Sequence, residues 1–570
     1  MTEVEPVAAR NLPPVTDENR AFLEGGREGR LMVGRCPGCG RWALPPQTLC
    51  PGCRQGLLAV AASGRAHLLT WTTNSHPYHP DLPVPYLIAI VVLVEQDDLR
   101  LATNLIDCTE ADLGPGMELA VAFENHGELF YPVFRPVDGA DGGTGSARNP
   151  GPPEAVEATP TAGTDRAAVG AGRNAAGTAR PATAPERGAV ISGIGMSRIG
   201  RRTGQAHAEM TMAAVREAIA DAGLEPGDID GLASLGDTPP AEVARALGIE
   251  PRFSGGSVEE GGLLAPVMAA GAAIGEQRAR HVVVYRTVQM LGGGMAPTDG
   301  AQRPAGDALA ALGRVMVDAG ELLAANAFSA ANWLALTARR HMDLYGTTKE
   351  QLGWLAVNSR RNAGLNPAAV YRDPMTMDDY MAARPVSSPF GLLDCDVPVD
   401  GSIAFVLSSA AYGPDAPHRT PRLEAIGVSP GTGGWFHRPD YPRMASWDAA
   451  ADMWNRTELR PGDVQMAQLY DGFTFLTLAW LEALGLCGEG ESGPFVEGAS
   501  RICLTGELPL NTYGGQLSAG RMHGYWVLHE ACLQMRGQAG DRQVPRAPEV
   551  AVVGVGGGPI AGCLLLTVPR

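Results

Sequence analysis

"LEPGDID" (residues 224–230) recurs as "LRPGDVQ" (459–465). Each copy follows a helix-patterned run and leads into an apolar, strand-like segment. The flanks repeat too. Upstream, "AVISGIG" (189–195) has a counterpart in "RLEAIGVSP" (422–430). Downstream, "GGLLAPVMAAGAAIGEQRARHVVVYRT" (261–287) is matched by "GGQLSAGRMHGYWVLHEACLQMRG" (514–537) followed by "EVAVVGVGGG" (549–558). Both read glycines, long helix, then strand. A β–α–β–α–β unit occurring twice predicts two α/β halves packed as a pseudo-dimer.

The chain has 570 residues, too many for one core, so two to four domains are expected. A net charge of −17 argues against nucleic acid as the main partner. No apolar run approaches the roughly 20 residues of a membrane span, and "MTEVEPVAAR" has no signal-peptide core. Ten cysteines without a secretion signal read as reduced thiols and metal ligands, which points to the cytoplasm.

Residues 138–187 contain no Ile, Leu, Met, Phe, Trp or Tyr and read as a disordered linker. Before it, residues 1–60 hold a helix-like stretch, with Thr16 or Asp17 as cap, and "CPGCGRWALPPQTLCPGC". Cys36 and Cys39 form one CxxC and Cys50 and Cys53 the other, with ten residues between them. Four thiolates on two such knuckles suit a tetrahedral zinc ribbon, and a closed four-thiolate site is structural, not catalytic. Residues 61–137 carry short β-rich runs, "AHLLTWTTN", "PYLIAIVVLVE", "LRLATNLI" and "MELAVAFEN", which predict a small β-barrel. Ribbon then barrel resembles the OB-fold proteins that accompany thiolase-like enzymes.

Residues 188–570 resemble the thiolase superfamily. "TMAAVREAIADAGL" with "DIDGL" resembles the opening of that fold, and "SPFGLLDCDVPVDGSIAFVLSS" (388–409) the close of its first half. "LYDGFTFLTLAWLEALGLCGEGE" resembles the second half of sterol-carrier-type thiolases. The resemblance implies an α/β, five-layered thiolase fold with halves at 188–415 and 416–570. It implies a homodimer, or a heteromer with another acyl-CoA enzyme.

The thiolase cysteines are absent. Val258 falls at the nucleophile position, beside Glu259 and Glu260, and Val555 or a neighbour at the second cysteine. Arg521 replaces the Gly-His-Pro histidine, with His523 two residues on. Cys395, Cys487, Cys503, Cys532 and Cys563 lie in apolar segments and read as structural. The closest resemblance is to lipid-transfer-protein-type, thiolase-like aldolases of steroid side-chain degradation, which lack these cysteines and use tyrosines for acid–base work. Tyr470 matches one of those tyrosines, Arg521 stands where the second would fall, and Tyr513 is a substitute candidate.

The implied reaction is retro-aldol cleavage of a β-hydroxyacyl coenzyme A thioester. Tyr470 is the candidate acid or base, ionised with help from Arg521, and His523 a second proton carrier. Backbone N–H groups of Gly514, Gly515 and Gly557 are candidates for holding the thioester oxygen. Structural readings stand beside these. Tyr470 fits a core tyrosine, Asp471 a helix N-cap, Arg521 a salt bridge or CoA-phosphate contact, and His529 and Glu530 helix packing. A cysteine-independent acyltransferase and a non-catalytic acyl-CoA or lipid scaffold are the competing functions.

Overall fold

The computed structural model describes residues 3–4, 10–137, 184–235, 237–256, 262–291, 319–429 and 435–568. The linker at 138–183 and the loop with Val258, Glu259 and Glu260 lie outside the described residues. The folded body resumes at Ala184, earlier than the composition suggests. A 3-10 turn at Pro185–Gly188 packs so closely on the helix Ala265–Gly275 that a Cβ on Gly275 would meet Pro185 O at 2.0 Å.

Strand β1 (Glu3–Val4) pairs in parallel with the barrel at Phe123 and Glu124. Strands β2 (Met32–Arg35), β3 (Trp42–Ala43) and β4 (Leu58–Ala61) form the ribbon sheet, in the order β3-β2-β4. Five strands follow: β5 (Arg65–Asn74), β6 (Tyr86–Leu93), β7 (Arg100–Leu105), β8 (Glu118–His126) and β9 (Leu129–Pro136). They run in the order β8-β9-β7-β6-β5, and the β5–β8 pairing closes the barrel. The continuous apolar run in β6 has a physical cause. Leu87, Ala89 and Val91 fill the barrel, while Ile88 and Ile90 face away into the core of the larger body. A strand buried on both faces loses the usual alternation.

The body is the duplicated unit. Its strands are β10 (Ala189–Met196), β11 (Gly231–Ser234), β12 (Phe253–Gly255), β13 (His281–Gln289) and β16 (Asp400–Ser409) in the first half, with β17 (Arg422–Val428), β18 (Met466–Leu469), β19 (Val550–Gly556) and β20 (Ala561–Thr567) in the second. The order is β12-β11-β13-β16-β10 for one half and β17-β20-β19-β18 for the other, and they meet at Val190–Arg422. The repeated PGD motifs fold alike. Asp228 and Asp463 each accept a bond from the backbone N–H three residues back, at 2.9 and 2.8 Å.

Alternation along the strands builds five layers. Val282 and Val284 of β13, and Ala551, Val553 and Val555 of β19, point into one shared cluster. That cluster holds the helices Ala265–Gly275 and Tyr525–Arg536 between the two half-sheets. Val283 and Tyr285 point outward to the helix His207–Asp221. Val552 points outward to the helices Ala445–Trp454 and Thr474–Ala483.

Residues 319–399, inserted before β16, carry the helices Ala330–Tyr345 and Lys349–Gly364 and a hairpin of β14 (Pro385–Ser387) and β15 (Phe390–Gly391). The barrel docks here, on its own chain. Strand β14 extends the barrel sheet at β5 through Ser387–Asn74. Thr72 and Ser387 hydroxyls lie 2.7 Å apart, and Asn332 Nδ2 donates to Asn74 Oδ1 at 2.9 Å. Arg100, buried, donates to the carbonyls of Phe436 and Arg438.

Candidate active site

Tyr470 and Asp471 follow β18, where the chain turns into the helix Thr474–Ala483. Asp471 is not the cap of that helix. Phe473 occupies the cap position, and Asp471 Oδ1 instead accepts the N–H of Gln516 at 2.8 Å. That bond ties the tyrosine turn to a one-turn π-helix at Gly515–Ala519, an element often found at functional sites. Gly515 has φ +62°, and a Cβ there would come within 1.9 Å of Asp471 Oδ2.

A second carboxylate, Asp396, enters from the inserted segment, and the sequence reading gave it no role. Its N–H donates to Gly472 O at 3.1 Å, and Arg521 N–H donates to Val397 O at 2.8 Å. These bonds bring Arg521 Nη1 to 3.3 Å from Asp396 Oδ1. A Cβ on Gly472 would meet the Tyr470 ring at 2.5 Å and Asp396 Oδ2 at 3.4 Å, so only glycine lets them approach. Burial raises Asp396 to about 7, with Arg521 opposing and Asp471 adding to the rise. Burial likewise raises Asp471 to about 6. Tyr470 is pushed above the ordinary phenol value by burial and by Asp396, against the pull of Arg521. The pull of Arg521, which is also paired with Asp396, does not offset the burial that raises Tyr470. A phenol raised in this way carries its proton at neutral pH and is available as a donor.

His523 has left-handed backbone (φ +49°) and sits beside β13. Its Nδ1 is 2.7 Å from Arg286 Nη2, and Arg286 is ion-paired through Nη1 with Asp237. Burial, then Arg286, then Arg521 lower its pKa well below the usual histidine value. The expected proton carrier is a neutral imidazole.

The remaining candidates are distributed as follows. Tyr513 is fully buried, stacked on Trp526 at 5.3 Å, and burial pushes its hydroxyl far up. Gly514 and Gly557 do not offer free N–H groups, since these donate to Asn511 O and Ile560 O at 3.0 Å. Gly515 opens the π turn against Asp471. Val555 is buried in the shared core. Burial raises the thiols of Cys395, Cys487 and Cys563, and that of Cys532 to about 12, so none is poised as a nucleophile. Glu530 is a buried partner of Arg542 at 3.0 Å, and burial lowers His529 to about 3.

At the other end of the chain, Cys36, Cys39, Cys50 and Cys53 bring their sulfurs within 4.8 Å of one another. Cys36 N–H donates to Arg41 O and Cys50 N–H to Gln55 O, both at 2.8 Å, the closed knuckles that hold a tetrahedral metal. The donor set fits a metal ion.

A duplicated five-layer body with an attached ribbon and barrel defines a thiolase-fold protein with an OB-fold companion in the same chain. Comparison with known proteins agrees. Residues 430–564 match the model "Thiolase C-terminal domain-like", residues 59–124 "ChsH2, C-terminal OB-fold domain" and residues 23–57 "ChsH2, rubredoxin-like zinc ribbon domain". The chain is 34% identical over 398 residues to the 17-hydroxy-3-oxo-4-pregnene-20-carboxyl-CoA lyase of Mycobacterium tuberculosis, covering 66% of this chain and 98% of that protein. It is 34% identical over 400 residues to the steroid side-chain-cleaving aldolase of Thermomonospora curvata, covering 66% and 97%. A solved structure, "Ltp2-ChsH2(DUF35) aldolase", superimposes with TM-score 0.59 at 31% identity, over 68% of this chain and all of that one. The chain belongs to the steroid side-chain-cleaving aldolases of the thiolase superfamily. Among the described residues, no helix is long and apolar enough to cross a membrane.

Proposed function

We propose that this enzyme cleaves the Cα–Cβ bond of a β-hydroxyacyl-CoA thioester on a steroid side chain, by a retro-aldol reaction. The observation that carries the reading is the convergence of Asp396, Arg521 and Tyr470, in a chain whose sequence reads Val258 at the thiolase nucleophile position and Val555 or a neighbour at the second cysteine. Asp396, raised to about 7, takes the β-hydroxyl proton. The C–O electron pair closes to a ketone as the Cα–Cβ bond breaks, and the released pair becomes the enolate of a shorter acyl-CoA. Tyr470 O–H protonates Cα and recovers its proton from Asp396. Arg521 orients the base and offsets the enolate charge. The names of the relatives support a bulky 17-hydroxy steroid as the acyl group. Zinc is the metal the four cysteines suit, in a structural role, and a homodimer through the thiolase-like body is the assembly.

The test is incubation of purified protein with branched β-hydroxyacyl-CoAs, a steroid side-chain thioester among them, followed by mass spectrometry. Release of a ketone and a shorter acyl-CoA without added free CoA supports the lyase. Bound but intact substrate across the panel overturns it in favour of a scaffold.

A further inference from the structure

The Asp237–Arg286–His523 row reaches the loop that carries Arg521, two residues before His523, yet proton transfer as described above makes no use of it. Arg286 stands on β13 of the first half, and His523 on the loop of the second half, 237 residues away in sequence. A guanidinium can only donate, so His523 Nδ1 must accept. The proton of the neutral ring is then on Nε2. Asp237 secures the donor from behind, paired with Arg286 Nη1 while also accepting the N–H of Thr287 at 3.0 Å. The backbone holds the ring in place: left-handed at His523, and at Gly524 so close to Val555 that a Cβ would meet Cγ1 at 2.2 Å. The site also lacks two expected oxygen-binding donors, since Gly514 and Gly557 have spent their N–H groups.

We propose that Asp237 and Arg286 are positioning residues that fix His523 as the Nε2–H tautomer, and that this N–H donates to the thioester oxygen as the enolate forms. The oxygen role rests on the lyase reading above; the tautomer does not. The charged groups facing His523 are Arg286 and Arg521, with Asp237 behind Arg286, and both cations favour the neutral ring. A neutral imidazole donor keeps its proton through the reaction and needs no change of charge.

The tautomer is read by ¹⁵N NMR of the histidine-labelled full-length protein, with His523→Gln identifying the resonance. The expected result is one protonated nitrogen, Nε2, and no titration between about pH 5 and 8, the window in which an ordinary histidine ionises. Arg286→Met should allow both tautomers while burial and Arg521 still hold the ring neutral, and Arg286→Lys should restore most of the wild-type signature. A wild-type ring protonated on Nδ1, or titrating near its ordinary value, overturns the proposal. Turnover tests the oxygen role. The side-chain amide of His523→Gln can still donate, so it should retain activity within about tenfold, whereas His523→Ala should lose about 100-fold, the scale for one oxyanion donor. If Gln is as inactive as Ala while both fold, His523 moves protons and the donor role is wrong. A missing lyase activity leaves the NMR result standing, so the two failures are distinguishable.

Discussion

At the scale of single residues, chemistry is divided by what each group can give up. In the proposed reaction Tyr470, held protonated by burial and Asp396, is the donor, so Tyr470→Phe should lower turnover by about 10²–10⁴-fold with substrate binding retained. Single-turnover cleavage and equilibrium binding together check this. Asp396 acts as a base only when ionised, so kcat/KM should rise with pH through about 7. Asp396→Asn should abolish the reaction. Arg521 holds the Asp396 pKa down, so Arg521→Met should move that limb to higher pH as well as lower the maximum rate. The motif "LYDGF" made Tyr470 legible in the sequence. Asp396, Asp237 and Arg286 were not, because their meaning comes from contacts between distant segments, which carry no local spacing.

At the scale of elements, the ribbon and the π turn differ in how openly the sequence declares them. Two CxxC pairs at short range state their geometry locally, and their sulfurs do converge. About one zinc per chain should be found by metal analysis, and Cys50→Ser should release it and lower the first thermal transition. The loop "GGQLSAGRMHG" reads from the sequence as a candidate site loop through Arg521 and His523, but its π-helical form was not legible. The Asp471–Gln516 bond ties it to a segment from elsewhere in the chain. The same bond explains why Asp471, set before a helix and of the right type for a cap, is used otherwise. Gly515→Ala forces a side chain into positive φ and against Asp471, a cost of about 1–3 kcal/mol. A lower melting temperature of the body, with reduced turnover, is the expected measurement.

At the scale of the whole molecule, the duplication was readable because periodicity and the PGD turns recur, and the five layers follow from strand alternation. What the sequence did not show was the seat of the barrel. Ile88 and Ile90 face the buried cluster of Leu334, Ala338 and Phe436, and β14 joins the barrel sheet a few residues before Asp396. Phe390, on β15, stacks on Phe473 at 5.6 Å, beside the Tyr470 turn. Removing residues 1–137 should therefore uncover apolar surface and loosen the segment that carries Asp396. Light scattering should show association, and activity per soluble body should fall sharply. One chain carrying both body and barrel has a further consequence. Two separate proteins would part on dilution, and a cell would have to match their synthesis. Here translation sets the ratio at one to one, and the pairing is unimolecular, independent of how scarce the enzyme becomes.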